Sequence, residues 1–277
     1  MLSVLFASIA SFIGEISSSI IKFEVSHKKE SIYTAGFINA LFAMLAFSAM
    51  AVFRGSFVFG LASLPTFTLR AFLEILQAHM SMKALVKTDR STFAFVRNLT
   101  IPLLLIVDLI IGFTIGLNQW LGIAVIALVF GVILYFHVLS WKGIGYALFT
   151  AVNAVATISL FKYNITYFNS VEADQILILL ALMIYFFFAA LLLGKENPFQ
   201  FLKHKLFLGQ GAFHGLASIF GAFSVALGNP GIAITAGRTS EVLAGIISGR
   251  NYFQEKKFGA KLFVALILAA GLVLLAI

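Results

Sequence analysis

Cysteine is absent from this chain, which removes disulfides, thiolate metal sites and cysteine nucleophiles together. Charge is scarce as well. Only 11% of residues are Asp, Glu, Lys or Arg, against about 25% in a soluble domain, so the chain cannot cover itself with a polar surface. No nucleotide-binding Gly-rich loop occurs and no His-Glu-x-x-His pair, so ATP-driven work and zinc hydrolysis lack their usual motifs. His79 and His214 have no second ligand at metal spacing. Neither a metal nor a cofactor is expected. Period-two alternation is missing, which argues against a membrane β-barrel. The first apolar stretch lacks a basic leader and a small-residue cleavage site, so it reads as a retained helix.

What the chain has in abundance is apolar surface. Of its 277 residues 61% are hydrophobic, and the mean hydropathy is +1.04. Lipid must therefore be the solvent for most of it. A net charge of +8 would suggest nucleic acid in a soluble protein; here the basic residues collect in connections, as the positive-inside rule requires, and no nucleic-acid partner is expected. A spanning helix needs about 20 mostly apolar residues. Cutting the chain at charge clusters and turn residues gives crossings at 3–21, 32–53, 66–86, 92–111 and 120–138, then at 143–161, 174–193, 206–227, 231–249 and 259–277. The expected fold is all-α and integral to a membrane, with ten transmembrane helices.

The crossings fall into two copies, residues 1–139 and 140–277. Lys22-Phe23 closes the first segment and Lys162-Tyr163 the sixth. Ala84-Leu85 matches Ala226-Leu227, Arg97 matches Arg238, and Gly131 to Leu134 matches Gly271 to Leu274. An odd number of crossings per copy forces the second copy into the bilayer from the opposite side. Inverted repeats of this kind serve alternating-access transport, with the substrate held near the midplane between the halves. Lys28, Lys29, Lys87, Arg90, Lys142, Lys195 and Lys256 are among the cations in odd-numbered connections, while even-numbered ones carry only Arg54, Arg70 and Lys162. That bias puts the odd connections in the cytoplasm and both termini outside. The sixth connection adds Glu172 and Asp174 to the contrast.

On these residues, with Pro102 inside the fourth helix, the chain resembles the drug/metabolite transporter superfamily over its full length, specifically the ten-helix branch built from two EamA-like units. The resemblance implies a transporter of the cell (inner) membrane, a monomer or homodimer with the bilayer and a small-molecule substrate as partners. It also implies that helices four and nine line a central cavity. The family's acidic residue after helix four is absent, since the chain reads Gly116-Leu117-Asn118-Gln119-Trp120. Relatives of this type keep both termini in the cytoplasm, against the charge bias above.

A charge near the bilayer centre costs about 2.5–3.5 kcal/mol on insertion scales, so each embedded one must face protein, water or a partner. Arg97 and Arg238 are the sharpest pair, because their planar forks at matching positions suit one carboxylate or phosphate held from both sides. Alternatively each is an ion-paired or snorkelling residue; Glu241 lies one turn from Arg238 on the same face, and it or Glu15 is the candidate to take a proton or meet a substrate's ammonium. Glu15 sits mid-helix before Lys22-Phe23, similar to the proton-exchanging glutamate of small multidrug-resistance transporters but one residue closer. It is either a proton carrier or a carboxylate neutralised by an Arg or by the neighbouring serines. Arg70 and Glu74, one turn apart, form either a structural pair or a gate. Asn153 and His214 are candidate cavity-lining groups, or else hydrogen-bond partners of neighbouring helices. Asp108 falls near the end of the fourth helix.

The expected function is secondary active transport, proton-coupled or by exchange, of a small polar metabolite such as an amino acid or organic anion. The alternatives are proton-coupled export of cationic drugs through Glu15, and an intramembrane enzyme acting on lipid-linked substrates. The enzyme would need a nucleophile–base pair or clustered acidic ligands, and the embedded acids are scattered, so no catalytic residue is assigned.

Overall fold

The structure, a computed structural model, describes residues 1–104, 116–135, 140–228 and 230–276. Helices occupy each of the apolar segments marked above: α1 (Leu2–Ser26), α2 (Ile32–Arg54), α3 (Leu64–Lys87), α4 (Arg90–Arg97), α5 (Leu117–Tyr135), α6 (Ile144–Tyr167), α7 (Val171–Ala189), α8 (Lys205–Leu227), α9 (Pro230–Phe253) and α10 (Phe258–Ala276). No strand occurs among the described residues. Asp108 and the ends of the fourth and fifth crossings lie outside the described residues.

Among the described residues, five helices are long and apolar enough to cross a membrane: α1, α2, α6, α7 with the π-helical turn Ala190–Gly194 that continues it, and α8. The apolar stretches Trp120–Val132 of α5 and Phe258–Leu274 of α10 are shorter. α3 and α9 have 24 residues each but carry Arg70, Glu74 and Lys83 in one and Arg238, Glu241 and Arg250 in the other. Large apolar side chains such as Phe12, Leu45, Phe72, Ile184 and Phe263 are exposed on the outside of the bundle, as lipid contact requires.

Local chemistry explains the ends. Ser31 and Ser170 cap α2 and α7, each accepting a backbone N–H three residues on, from Thr34 and Ala173. α2 stops at Gly55 in the left-handed conformation (φ 59°). α9 begins on Pro230, where a missing N–H costs nothing. The fourth crossing is not one continuous helix: residues 98–99 form a turn before helix resumes at 100. Pro102 is the cause, since it donates no hydrogen bond to the Asn98 carbonyl and its ring crowds that oxygen. Asn98 is fully buried there and donates its side-chain amide to the Ala94 carbonyl.

Helices of the first half pack mainly on helices of the second. α1 lies along α8 and α9, α2 along α7 and α8, α3 along α6, and α5 along α10; α4 crosses α9 and α6, and α3 also touches α7. Small residues set several of these approaches. A Cβ on Gly36 of α2 would lie 2.6 Å from the Phe186 ring of α7, and one on Gly215 of α8 would lie 3.0 Å from the Phe42 carbonyl.

Candidate functional site

α1 contributes a mid-helix face of Ala10, Ser11, Gly14, Glu15 and Ser18. Opposite it stand Arg90 and Arg97 of α4, His214 and Ser218 of α8, and Arg238 and Glu241 of α9, around a cavity of about 300 Å³. Two further hollows adjoin it. One of about 190 Å³ shares Ser11, Arg238 and Glu241, and one of about 230 Å³ shares Ser18, Arg97 and His214 and reaches Gly36, Asn39, Ser81 and Leu85. Together they give a central space bounded by both halves.

The carboxylates are held tightly. Glu15 takes a two-pronged bond from Arg90, Nε to Oε1 at 2.9 Å and Nη2 to Oε2 at 2.5 Å. Its Oε1 also accepts from Ser19 at 3.2 Å and from Ser248 of α9. Glu241 bridges two guanidinium groups, Arg97 Nη1 to Oε1 at 2.7 Å and Arg238 Nη1 to Oε2 at 2.6 Å. Three guanidinium groups thus face two carboxylates. Arg90 Nη1, Arg97 Nε and Arg238 Nε are buried and find no acceptor in the protein.

Arg90 was legible only as a cation of the third connection. The structure instead places it in the first turn of α4 with 2% of its surface exposed. The helix start is fixed from outside: Asp89 makes no side-chain cap, and Glu255, in the turn between α9 and α10, accepts from the Arg90 and Ser91 amides and the Ser91 hydroxyl. Lys261 Nζ donates to Glu255 at 3.0 Å. Burial alone would raise the Glu255 carboxyl pKa, but the bonds from Ser91 and Lys261, the Lys261 charge and the Arg90 amide hold it below the usual carboxylate range.

Of the remaining expected residues, Asn153, Arg70 and Glu74 lie apart from this centre. Asn153 sits between α6 and α3, donating to the Leu73 carbonyl at 3.0 Å and to Gln77 at 2.9 Å, and does not line the cavity. His214 does line it. Arg70 and Glu74 are 3.4 Å apart, and Arg70 also pairs with Asp174 of α7. Asp174 and Glu172, counted from the sequence with the sixth connection, are buried in the first turn of α7, and Glu172 pairs with Arg54 at 2.6 Å. These pairs tie the start of α3 and the end of α2 to α7, away from the cavity. Lys22 and Lys162 have matching roles: Lys22 donates to the Thr88 carbonyl at the end of α3, and Lys162 to the carbonyls of Val225, Ala226 and Gly228 at the end of α8. No group of three His, Cys, Asp or Glu suited to a metal ion occurs among the described residues.

No protein-family model and no curated protein matches this chain.

Proposed function

We propose that the chain is a secondary transporter of the ten-helix drug/metabolite type, moving a small metabolite that carries a carboxylate or phosphate by alternating access. The observation that carries this reading is the excess guanidinium in the central cavity. Arg90, Arg97 and Arg238 meet only Glu15 and Glu241 there, leaving one uncompensated positive charge and N–H donors without acceptors. An anion supplies both the charge and the acceptors. A cavity of about 300 Å³ is at the small end for ligand sites, which suits a metabolite rather than a drug.

An inverted repeat of two five-helix units belongs to the same reading, and the packing is consistent with it. Exchanging each helix for the one five places later turns α1–α8 packing into α6–α3 packing, α1–α9 into α6–α4 and α2–α8 into α7–α3, and all of these contacts are present. The α2–α7, α4–α9 and α5–α10 contacts map onto themselves. The lysine caps of α3 and α8 and the serine caps of α2 and α7 follow the same exchange. Two halves that interlock across a charged cavity are the arrangement in which rocking one against the other exposes the site to each side in turn.

Export of cations through Glu15 draws no support from its surroundings, because Arg90 already neutralises that carboxylate. Counterflow in proteoliposomes is the test. Labelled amino acids, organic acids and sugar phosphates should include a substrate that exchanges; a panel in which only quaternary ammonium compounds exchanged would overturn the reading.

A further inference from the structure

The turn joining α1 to α2 holds a carboxyl group that the cavity does not use. Glu30 is 3% exposed, and neither of its side-chain oxygens has a hydrogen-bond partner in the protein. Its charged neighbours are other acids: Glu24 at the end of α1, paired with Lys29 at 3.3 Å, and Glu196 beyond α7, which accepts from the Ser31 amide at 3.0 Å and from Thr34 at 2.7 Å. We propose that Glu30 carries an exchangeable proton that keeps this end of the bundle closed, and that opening the end releases the proton to water. As coupling for uptake or export, this rests on the transport reading above; as a protonation-linked opening, it does not.

The other serine-capped turn offers a comparison. Glu30 precedes the cap Ser31 as Asn169 precedes the cap Ser170. Asn169 is an amide bonded at both ends: its oxygen accepts from Gly60 N at 3.0 Å and Ser63 at 3.2 Å, and its nitrogen donates to Asp174 at 3.1 Å. A carboxyl in the matching turn resembles that amide only when protonated and neutral. Charged, it would be a buried anion beside two other acids without a donor, which costs far more than protonation. A bound cation would be the other remedy, but no set of ligands suited to a metal gathers there. Burial first, and then the charges of Glu24 and Glu196, push the Glu30 pKa up to about 9. In the closed form the carboxyl is therefore COOH at neutral pH. When the turn opens, water solvates the group, the O–H bond breaks, the proton leaves as hydronium and COO⁻ remains; closing takes one proton back.

The turn lies at the end of α1, α2 and α3 where Ile21, Gly36, Ser81 and Leu85 line the adjoining hollow. Because the chain has no cysteine, Ser81→Cys gives a single thiol whose modification rate reports opening at that end. The rate is measured in purified protein from about pH 5.5 to about pH 8.5, with and without Glu30→Gln, and the ratio of the two cancels the titration of the thiol itself. The open form ionises near the ordinary value of 4.5 and the closed form near 9. Between those limits only the closed form holds the proton, so the ratio should climb with pH, by up to about tenfold per unit. Glu30→Asn, which installs the residue of the other repeat, serves as the neutral reference if Glu30→Gln does not fold. A ratio that stays flat with pH, or a thiol unreactive in both proteins at every pH, would overturn the proposal. Since no substrate enters this measurement, failure of the counterflow panel would leave it standing, and its own failure would leave anion transport standing.

Discussion

At the scale of single residues, the centre is decided by which carboxylate meets which guanidinium. Glu15 is bound on three sides, by Arg90, Ser19 and Ser248, so Glu15→Gln should leave anion binding intact or tighter, measured by titration of a bound anion. A proton-coupled cation exporter would instead lose binding with that change. Removing the other partner is harsher. Arg90→Met strands Glu15 in the interior and should cost about 3–5 kcal/mol of stability, as for other broken buried pairs. Adding Glu15→Gln to Arg90→Met should restore most of it, because the uncompensated charge is then gone; thermal unfolding of the single and double variants measures this. Glu255 adds a pH dependence. Its pKa is depressed in the folded protein, so its stabilising contribution is complete above the unfolded value and is lost as pH falls through the folded one. The acid limb of the melting profile should therefore flatten in Glu255→Gln, and an unchanged limb would count against the role assigned to it. Arg90 itself escaped sequence reasoning because it adjoins Lys87 and Asp89, where every cue points to a wet connection. Its burial depends on Glu255, 165 positions later.

At the scale of elements, the caps and close approaches make sharper tests than the apolar runs. Lys22 and Lys162 donate to the last carbonyls of α3 and α8, where the helix dipole favours a positive charge. Lys22→Met and Lys162→Met should each cost about 1–2 kcal/mol, and the costs should add, since the two sites share no partner. Differential scanning of the three proteins gives the answer. The matched glycines should not behave alike. A Cβ on Gly271 would meet Val125 at 2.8 Å, whereas one on Gly131 meets nothing within 4 Å among the described residues. Gly271→Ala should therefore destabilise the α5–α10 contact by about 1–3 kcal/mol as overpacking does, and Gly131→Ala should be silent. The sequence match set these two glycines as equivalents, because matching letters do not show which face a glycine turns to its neighbour. Helix existence was legible almost throughout from apolar length. The break at Asn98 was hidden within one apolar run, with Pro102 as its only mark.

At the scale of the whole molecule, the buried charges place the start of the fourth segment and α9 at the centre of the bundle, where Arg90, Arg97, Arg238 and Glu241 line one cavity. Arg97 and Arg238 were visible as matching positions, and Glu241 as a neighbour of Arg238. That one carboxylate serves both arginines depends on α4 and α9 crossing, which no local pattern encodes. Asn153 was open between cavity lining and a bond to a neighbouring helix for the same reason: helix polarity signals that a face is covered, not by what, and its bonds to Leu73 and Gln77 of α3 fit the second. Residues of both halves line the cavity, so its charge bears on the whole molecule. The most direct measurement is the thermal shift of purified protein with amino acids, organic acids, sugar phosphates and quaternary ammonium compounds, in the unaltered chain and in Arg238→Ala. Stabilisation by at least one carboxylate or phosphate, lost in Arg238→Ala, is the expected result; stabilisation by the quaternary ammonium compounds alone, or by anions equally well in Arg238→Ala, would contradict it.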